Sequence, residues 1–272
     1  MPTRNKLRTA NRAPQPCLIG VIHLLPLLGA PRYGGDLDEI VRRAVADART
    51  YERAGFDAVE IENYGDLPFT KGRVEAVTVA AMTRAALAVR EVVKMPVGLN
   101  VLRNDALSAL AIAAVVGARF IRVNVLTGAM LTDQGIIEGN AYETIRHRAR
   151  LCSQTKIFAD VHVKHAAPLA PLPIEISAHD CLLRGQADAL ILTGPATGAP
   201  VDLEDLRRVR AALPQARLLV GSGATPENVA GLFRCANGII VGTYAKRDGR
   251  TSNPADPIRA RRLRRAVDRV CS

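Results

Sequence analysis

Residues 218–228, LLVGSGATPEN, run from a short apolar strand through a glycine turn into a helix start at Thr225 and Pro226. Similar apolar segments recur along the chain and give eight candidate strands: residues 18–23, 57–63, 97–102, 120–125, 157–164, 189–193, 217–223 and 238–243. Between them, apolar residues recur at helical spacing. Eight strand-then-helix units over roughly 250 residues are typical of a barrel. The sequence therefore predicts an α/β fold, a single (β/α)8 TIM barrel.

An open, doubly wound sheet is the alternative α/β fold. It is disfavoured because no Gly-x-Gly-x-x-Gly turn follows the first candidate strand. Helix starts are predicted at Asp36, whose side chain would accept a hydrogen bond from an early backbone N–H, and at Asp202. Nothing in the composition divides the chain, so one domain is expected.

The net charge of +11 is concentrated at the two ends of the chain. Residues 1–16 hold four basic residues and no acidic one, and residues 259–272 hold six arginines and one aspartate, which leaves the rest nearly neutral. We expect residues 1–16 to be a basic, flexible tail and residues 17–272 to be the barrel. The basic ends could contact anionic lipid or be ordinary solvated surface. With five Tyr, five Phe and no Trp, base stacking is poorly supported and nucleic acid is not the expected partner.

Cysteine spacing and hydropathy indicate the compartment. The five cysteines form no Cys-x-x-Cys pair, so the sequence predicts neither a disulfide framework nor a structural zinc site. No apolar run approaches the roughly 20 residues that cross a bilayer, and the start of the chain lacks a secretory signal. These features predict a cytoplasmic protein without a metal or cofactor. They leave open whether it forms a homo-oligomer.

Polar residues alternate with apolar ones along several candidate strands. In a barrel, the apolar set would face the helices, which leaves the polar set pointing inward: His23, Glu60, Glu62, Asn100, Arg122, Asn124, Asp160, His162 and Lys164. Unpaired buried charges cost several kcal/mol each, so these groups must pair with one another or meet a ligand. Mutual pairing is favoured for Glu60, and considered for Asp160, because they lie deeper from the strand ends. Ligand contact is favoured nearer the ends, at Glu62, Asn63, Asn124, His162 and Lys164.

The glycine turn and the end of the last strand predict a phosphate site of the kind found in phosphate-binding TIM barrels. Glycines allow backbone N–H groups to approach an anion, and the loops after the seventh and eighth strands are neighbours. The residues predicted to bind phosphate are Gly221, Ser222, Gly223, Gly242 and Thr243. The alternative is an ordinary tight turn before a capped helix.

Long segments follow the first, second and fourth strands, at the end where barrel chemistry occurs. Residues 126–140 contain glycines at 128, 135 and 139, a pattern that suits a mobile lid, although such a loop can also be inert surface. Strand alternation would send His165 away from His162, which weakens a metal site built from both.

Several motifs together resemble those of the BtpA/SgcQ family, from about residue 17 to near the end of the chain. They are His23-Leu24 with Pro26 and Gly29, Glu62-Asn63 with Gly65-Asp66 and Pro68-Phe69, Asn124, residues 132–139 (TDQGIIEG), residues 160–165 (DVHVKH), residues 221–223 with 225–228, and residues 241–243 with Lys246 and Gly249. Leu28 stands where the family usually has a second proline, which affects only the first loop. The resemblance implies a phosphate-binding barrel.

The resemblance also implies two kinds of function. Cyanobacterial members of the family are linked to photosystem I accumulation and behave as peripheral membrane proteins. Other members sit among sugar-metabolism genes and are described as nucleosidases or nucleoside phosphorylases. The alternative to an enzyme is therefore a non-catalytic stabilising factor for a membrane complex, docking through the basic ends.

The leading prediction is an enzyme acting on a small phosphorylated sugar or nucleoside-like compound, by nucleosidase, phosphorylase or lyase-type chemistry. Glu62 would be the general acid or base, and Lys164 with His162 would position and polarise the substrate. Lys164 could instead be a Schiff-base amine. The residues predicted to bind the rest of the substrate are His23, Asn63, Asn100, Arg122, Asn124 and Asp160.

Overall fold

The computed structural model describes residues 17–271, and in that part of the chain strands and helices alternate. The strands are β1 (Cys17–His23), β2 (Ala58–Glu62), β3 (Val97–Asn100), β4 (Phe120–Val123), β5 (Ala129–Thr132), β6 (Gly135–Glu138), β7 (Lys156–Val161), β8 (Ala166–Pro168), β9 (Ala189–Leu192), β10 (Leu218–Val220) and β11 (Gly238–Val241). The helices are α1 (Leu37–Arg53), α2 (Ala76–Val92), α3 (Ala106–Val116), α4 (Ala141–Leu151), α5 (Ile174–His179), α6 (Leu203–Ala212), α7 (Val229–Leu232) and α8 (Pro257–Cys271).

Eight parallel strands in this part of the chain close into a barrel, in the order β1-β11-β10-β9-β7-β4-β3-β2. The predicted TIM barrel is confirmed, and each of the eight candidate strands is present. The predicted tail, residues 1–16, lies outside the described residues. No helix within residues 17–271 is long and apolar enough to span a membrane.

The barrel interior changes from apolar to polar along the strands. Ala58, Phe120 and Phe158 lie inside at the amino-terminal end, where the two phenylalanine rings stack with centroids 4.7 Å apart. Two residues further along the same strands, the inward positions hold Glu60, Arg122 and Asp160, as alternation requires. Neighbouring outward residues are apolar and pack against the helices. These three side chains therefore point into the barrel, as the sequence predicted, and lie nearer the carboxyl ends of the strands than the phenylalanines do.

Seven of the eight barrel strands end one to three residues before the predicted position, and two boundary differences bear on the site. The fifth candidate strand, β7, ends at Val161 because His162 adopts a left-handed conformation (φ 51°), so the predicted extension to Lys164 is wrong. The helix expected to begin at Thr225 begins only at Val229. Before it, the Asn228 side chain accepts from the Thr225 N–H and donates to the Gly223 carbonyl, which stabilises a turn instead.

Other local predictions are confirmed. Asp36 accepts from the Glu39 N–H at the start of α1, and Asp202 accepts from the Glu204 N–H at the start of α6. Residues 126–140, whose glycines suit a mobile lid or an inert surface loop, contain the antiparallel hairpin β5–β6, and β5 also pairs with β8. This three-stranded sheet lies beyond the carboxyl ends of β4 and β7, so it adds wall to the open end of the barrel.

Candidate active site

The carboxyl ends of the barrel strands surround a cavity of about 200 Å³, called the main cavity below. One side, the glycine wall, consists of Gly221, Ser222, Gly223, Gly242 and Thr243, from the loops after β10 and β11. The other, the polar wall, consists of His23, Glu62, Arg122 and Lys164. The structure thus brings together in one cavity all five residues predicted to bind phosphate and four of the other predicted site residues.

The glycine wall requires glycine for steric reasons. A Cβ on Gly223, which has a φ of 68°, would lie 2.4 Å from the Pro200 Cα. A Cβ on Gly242 would lie 2.6 Å from the His23 Cε1. Such distances are far below van der Waals contact, so bare backbone is the only fit. The Ser222 hydroxyl accepts from the Gly194 N–H at 2.7 Å and donates to the Ala199 carbonyl at 2.9 Å, so this side chain holds the loop in place.

Arg259 from α8 adds a cation to the glycine-wall side of the main cavity. From the sequence, Arg259 was counted only among the basic residues at the end of the chain. Its Nε donates to the Tyr244 carbonyl at 2.6 Å, and its guanidinium lies 4.5 Å from the centre of the Tyr244 ring. Its two terminal nitrogens have no hydrogen-bond partner among residues 17–271. A signal was present in the sequence, because the first turn of a barrel helix that follows a strand lies near the active-site end.

Glu62 is the central carboxylate of the polar wall. Its Oε1 accepts from the Asn100 side-chain amide at 3.4 Å, and its Oε2 lies 3.4 Å from the His23 Nε2. Burial lowers the pKa of His23 well below its ordinary value, and the nearby cations, Lys246 first, add to this effect. The lowered pKa favours the neutral imidazole of His23 at neutral pH, so its contact with Glu62 is not an ion pair.

Deeper in the barrel, Arg122 organises a buried ionic network. It binds Asp160 through two hydrogen bonds of 2.9 Å and approaches the Glu60 Oε1 at 3.4 Å. Burial raises the pKa of Glu60 to about 7, although Arg122 opposes the shift. Asn124 donates to the same Asp160 carboxylate at 3.0 Å. The mutual pairing expected for Glu60 extends to Asp160, and only Arg122 of this network lines the main cavity.

Lys164 lies where the main cavity meets a second opening of about 320 Å³, the mouth cavity, which is also lined by Glu62, Tyr64, Arg103 and His165. The Lys164 amine has no hydrogen-bond or ion-pair partner within residues 17–271. Burial and then the charge of Arg122 lower the pKa of Lys164, while Glu62 and other carboxylates oppose the shift. Glu62 and Lys164 thus line the same two cavities.

His162 does not lie in the main cavity, so its expected position beside Lys164 is wrong. The left-handed backbone turns its ring outward, where Nε2 contacts the Ser177 hydroxyl at 2.9 Å. It lines a separate cavity of about 280 Å³, called the side cavity, together with Asn124 and Asp160. Strand alternation predicted the wrong direction for the His162 side chain because β7 ends at Val161, and alternation does not hold beyond the end of a strand.

Asn63 is also outside the main cavity, contrary to its predicted contact with substrate. It is fully buried: its Oδ1 accepts from the Leu102 N–H at 2.7 Å and its amide donates to Asp66 at 3.1 Å. Asp66 in turn accepts from the Leu27 N–H, so this set joins the loops after β1 and β2. The motif that contains Asn63 thus stabilises the loops rather than facing the main cavity.

No metal site is present among residues 17–271: no three His, Cys, Asp or Glu side chains are placed to hold an ion together. His165 lies on the other side of its turn from His162 and contacts the Thr197 hydroxyl at 3.0 Å. Thr197 lines both the main and the mouth cavities, a position that no sequence pattern had indicated.

Comparison with known proteins identifies the family. The model of the BtpA family matches residues 15–269, nearly the whole chain. The chain belongs to the BtpA family. Over 242 residues it is 49% identical to the photosystem I biogenesis protein BtpA of Synechocystis sp., covering 89% of this chain and 84% of that protein. It is 31% identical to another relative, SgcQ, an sgc region protein of Escherichia coli, covering 93% and 94% of the two chains.

Solved structures agree with the barrel of this BtpA-family chain. The N-(5′-phosphoribosyl)anthranilate isomerase of Pyrococcus furiosus superposes with a TM-score of 0.58, at 14% identity, and covers 94% of this chain and 100% of the isomerase chain. At this identity, the similarity concerns the fold alone. The predicted family and fold are therefore both confirmed, whereas the activity has to be argued from the site.

Proposed function

We propose that the protein is an enzyme that acts on a small phosphorylated sugar or nucleoside-like compound in the main cavity. One observation carries this proposal: bare glycine backbone and Arg259 lie on one side of the cavity, and Glu62 and Lys164 lie on the other. A phosphate needs N–H donors and positive charge, while the rest of the substrate needs acid-base groups. The cavity supplies the two at opposite walls.

The phosphate would lie against the glycine wall. Gly223 and Gly242 line the cavity with their backbone, whereas the Gly221 N–H already donates to the Leu192 carbonyl at 2.8 Å, so the N–H donors to phosphate would come from the residues after Gly221. Arg259 would add a charge-assisted hydrogen bond, and its guanidinium is already oriented by Tyr244. This part of the site would hold the substrate without taking part in bond making or breaking.

The reacting part of the substrate would lie against the polar wall. Glu62 is positioned by Asn100 and by neutral His23, so it can accept or donate a proton at a fixed place. Lys164 and Arg122 supply positive charge where negative charge develops. This arrangement supports nucleosidase, phosphorylase or lyase-type chemistry, all of which need one acid-base group and a stabilised leaving group.

The test begins with binding. A panel of phosphorylated sugars and nucleotides is compared with the dephosphorylated compounds by thermal shift and isothermal titration. We expect stabilisation by members of the phosphorylated set only, and turnover of a bound compound that is lost in Glu62→Gln. Equal binding of both sets, or turnover unaffected by Glu62→Gln, would contradict the proposal.

A second candidate function is docking of the barrel on a membrane complex. The relative in Synechocystis is a photosystem I biogenesis protein, and α8 carries a row of exposed arginines: Arg261, Arg262, Arg265 and Arg269. Such a row attracts anionic lipid by roughly 1 kcal/mol per residue near the surface.

Vesicle binding tests this second candidate. Cosedimentation with phosphatidylglycerol vesicles should fall with added salt and when the four arginines of α8 are changed to Gln. The matched control changes four exposed arginines elsewhere to Gln: Arg49, Arg90, Arg146 and Arg150. Equal loss in both variants would indicate nonspecific charge attraction and would count against docking through α8.

A further inference from the structure

The segment that carries Lys164 is held in an unusual backbone conformation. His162 and His165, on either side of it, have φ angles of 51° and 56°, a left-handed region that non-glycine residues seldom adopt. Contacts around the turn maintain it: Arg103 Nη2 donates to the Lys164 carbonyl at 2.6 Å, and the His165 N–H donates to the Pro195 carbonyl at 3.0 Å. The fold thus holds the Lys164 backbone in one place at the barrel opening.

The Lys164 side chain is left available at that place. The carboxylates nearest to the main cavity already have partners: Glu62 contacts Asn100 and His23, and Asp160 is bound by Arg122. Within residues 17–271, the Lys164 amine has none, although the side chain is mostly enclosed. A lysine kept only for an ion pair would be expected to contact a carboxylate.

The surroundings favour the neutral, nucleophilic form of this amine. Burial and the nearby guanidinium of Arg122 lower the pKa of Lys164, which increases the fraction of free amine at neutral pH. The amine also has room on two sides, because the main cavity and the mouth cavity meet at its position. A substrate held by its phosphate at the glycine wall would extend across the main cavity towards Lys164.

We propose that Lys164 forms a Schiff base with an aldehyde or ketone carbonyl of the phosphorylated substrate. This inference rests on the proposed function and narrows its substrate class to carbonyl compounds, including sugars in their open-chain form. It selects lyase-type or isomerising chemistry from the reactions that the site could perform, because an iminium ion withdraws electrons from the neighbouring carbon–carbon and carbon–hydrogen bonds.

The step needs no reactant besides the substrate. The lysine ammonium first loses a proton, and its nitrogen lone pair attacks the carbonyl carbon, whose oxygen becomes a hydroxyl group by taking up a proton. The carbon–nitrogen double bond then forms as the carbon–oxygen bond breaks, and the oxygen leaves as water. Ammonium and carbonyl thus give one iminium ion and one water molecule. Glu62 lines both cavities and would move the protons.

Borohydride trapping tests the inference on the full chain. The protein is incubated with glycolaldehyde phosphate, dihydroxyacetone phosphate or ribose 5-phosphate, reduced, and analysed by intact mass and peptide mapping. We expect a mass increase equal to the substrate less one oxygen, located on the peptide that carries Lys164. The adduct should be lost in Lys164→Met and diminished by excess inorganic phosphate. It should persist in Lys156→Met, a change at an exposed lysine paired with Asp188.

The dephosphorylated sugars serve as a second control, and peptide mapping of the wild-type chain gives the answer even if Lys164→Met does not fold. Binding of the phosphorylated compounds without an adduct on Lys164 would overturn this inference and leave the proposed function standing. Adducts spread evenly over surface lysines would overturn it as well. If the phosphorylated compounds neither bind nor form an adduct, both this inference and the proposed function are overturned.

Discussion

At the scale of single residues, Glu62 carries the proposed chemistry. Glu62→Gln keeps the size of the side chain and one acceptor oxygen but removes its charge and its ability to exchange a proton. We expect kcat on the substrate identified by binding to fall by about 10²- to 10⁴-fold, while binding of inorganic phosphate is unchanged. Steady-state kinetics and titration calorimetry measure the two effects. Glu138→Gln, a change at an exposed glutamate on β6, is the control and should alter neither.

Arg259 should affect binding rather than turnover. Arg259→Gln removes the charged donor on the glycine-wall side, and a charge-assisted hydrogen bond contributes about 1.5–3 kcal/mol. We expect affinity for inorganic phosphate to fall by about 10- to 150-fold by calorimetry. Arg262→Gln is the matched control, since Arg262 lies on the same helix, is exposed and pairs with Glu227. Equal affinities for phosphate in the two variants would show that Arg259 does not bind it.

Glu60 gives a pH dependence whose sign follows from its surroundings. Its pKa is raised from 4.5 to about 7 in the folded state, first by burial, so the folded protein holds a proton that the unfolded chain has released. The stabilising contribution of Glu60 is therefore complete below the unfolded pKa and is lost as pH rises through about 7.

A comparison with Glu60→Gln isolates this contribution, because Gln does not titrate. Between about pH 5 and about pH 8, the free energy of unfolding of the wild-type protein should fall relative to that of the variant by about 2.5 kcal/mol. Urea denaturation at several pH values measures the difference. A difference independent of pH would contradict a raised pKa at Glu60.

At the scale of structural elements, the strands were predictable and the segments after them were not. Apolar alternation identified each barrel strand and correctly placed Glu62 and Arg122 inside, since side-chain direction follows from the strand alone. It failed at His162, where a left-handed residue ends β7. It also could not show that the Asn63 side chain accepts a hydrogen bond from the Leu102 N–H, because that contact joins residues 39 positions apart.

The glycine wall shows the same limit. The glycines at 221, 223 and 242 were recognisable in sequence, but the helix after them is shorter than its Thr-Pro start suggested. Arg259 reaches the cavity from the far end of the chain, where its charge resembled that of the solvated arginines around it. Sequence thus predicted which backbone segments line the main cavity better than which side chains do.

A buried ion pair connects α1 to the segment after the glycine wall. Lys246 donates to Asp47 at 2.6 Å, both groups are almost completely buried, and Asp47 also accepts from the Ala255 N–H. Lys246→Met would remove the hydrogen-bonded cation of Asp47 and leave only Arg43, whose Nε lies 3.5 Å from Asp47 Oδ1. The change should destabilise the protein by about 3 kcal/mol, the lower end of the range for a broken buried pair. Chemical denaturation would measure this loss.

The double variant distinguishes a charge effect from a packing effect. Adding Asp47→Asn to Lys246→Met removes the unpaired charge and keeps an acceptor for Ala255, so part of the stability should return. Arg42→Met, which breaks an exposed pair with Asp36, should cost about 0–1 kcal/mol and serves as the control. A double variant as unstable as Lys246→Met would show that packing, not charge, accounts for the loss.

At the scale of the whole molecule, closure of the barrel pairs β11 with β1 and so brings the loops after β10 and β11 next to the ends of β1 and β2. A Cβ on Gly242 would lie only 2.6 Å from the His23 Cε1, so the glycine wall and the polar wall are in contact at this point. The closed order of the strands was predictable from eight strand–helix units, and it is what makes one cavity from residues more than 200 positions apart. The proposed function depends on this closure as much as on any single side chain.

Crystals soaked with glycolaldehyde phosphate, dihydroxyacetone phosphate and ribose 5-phosphate test the central claim most directly. The account predicts phosphate density against Gly221, Gly223 and Gly242 with Arg259 in contact, and the remainder of the ligand directed to Glu62 and Lys164. Phosphate density at another place on the molecule, or a main cavity that holds only solvent at saturating ligand, would contradict it.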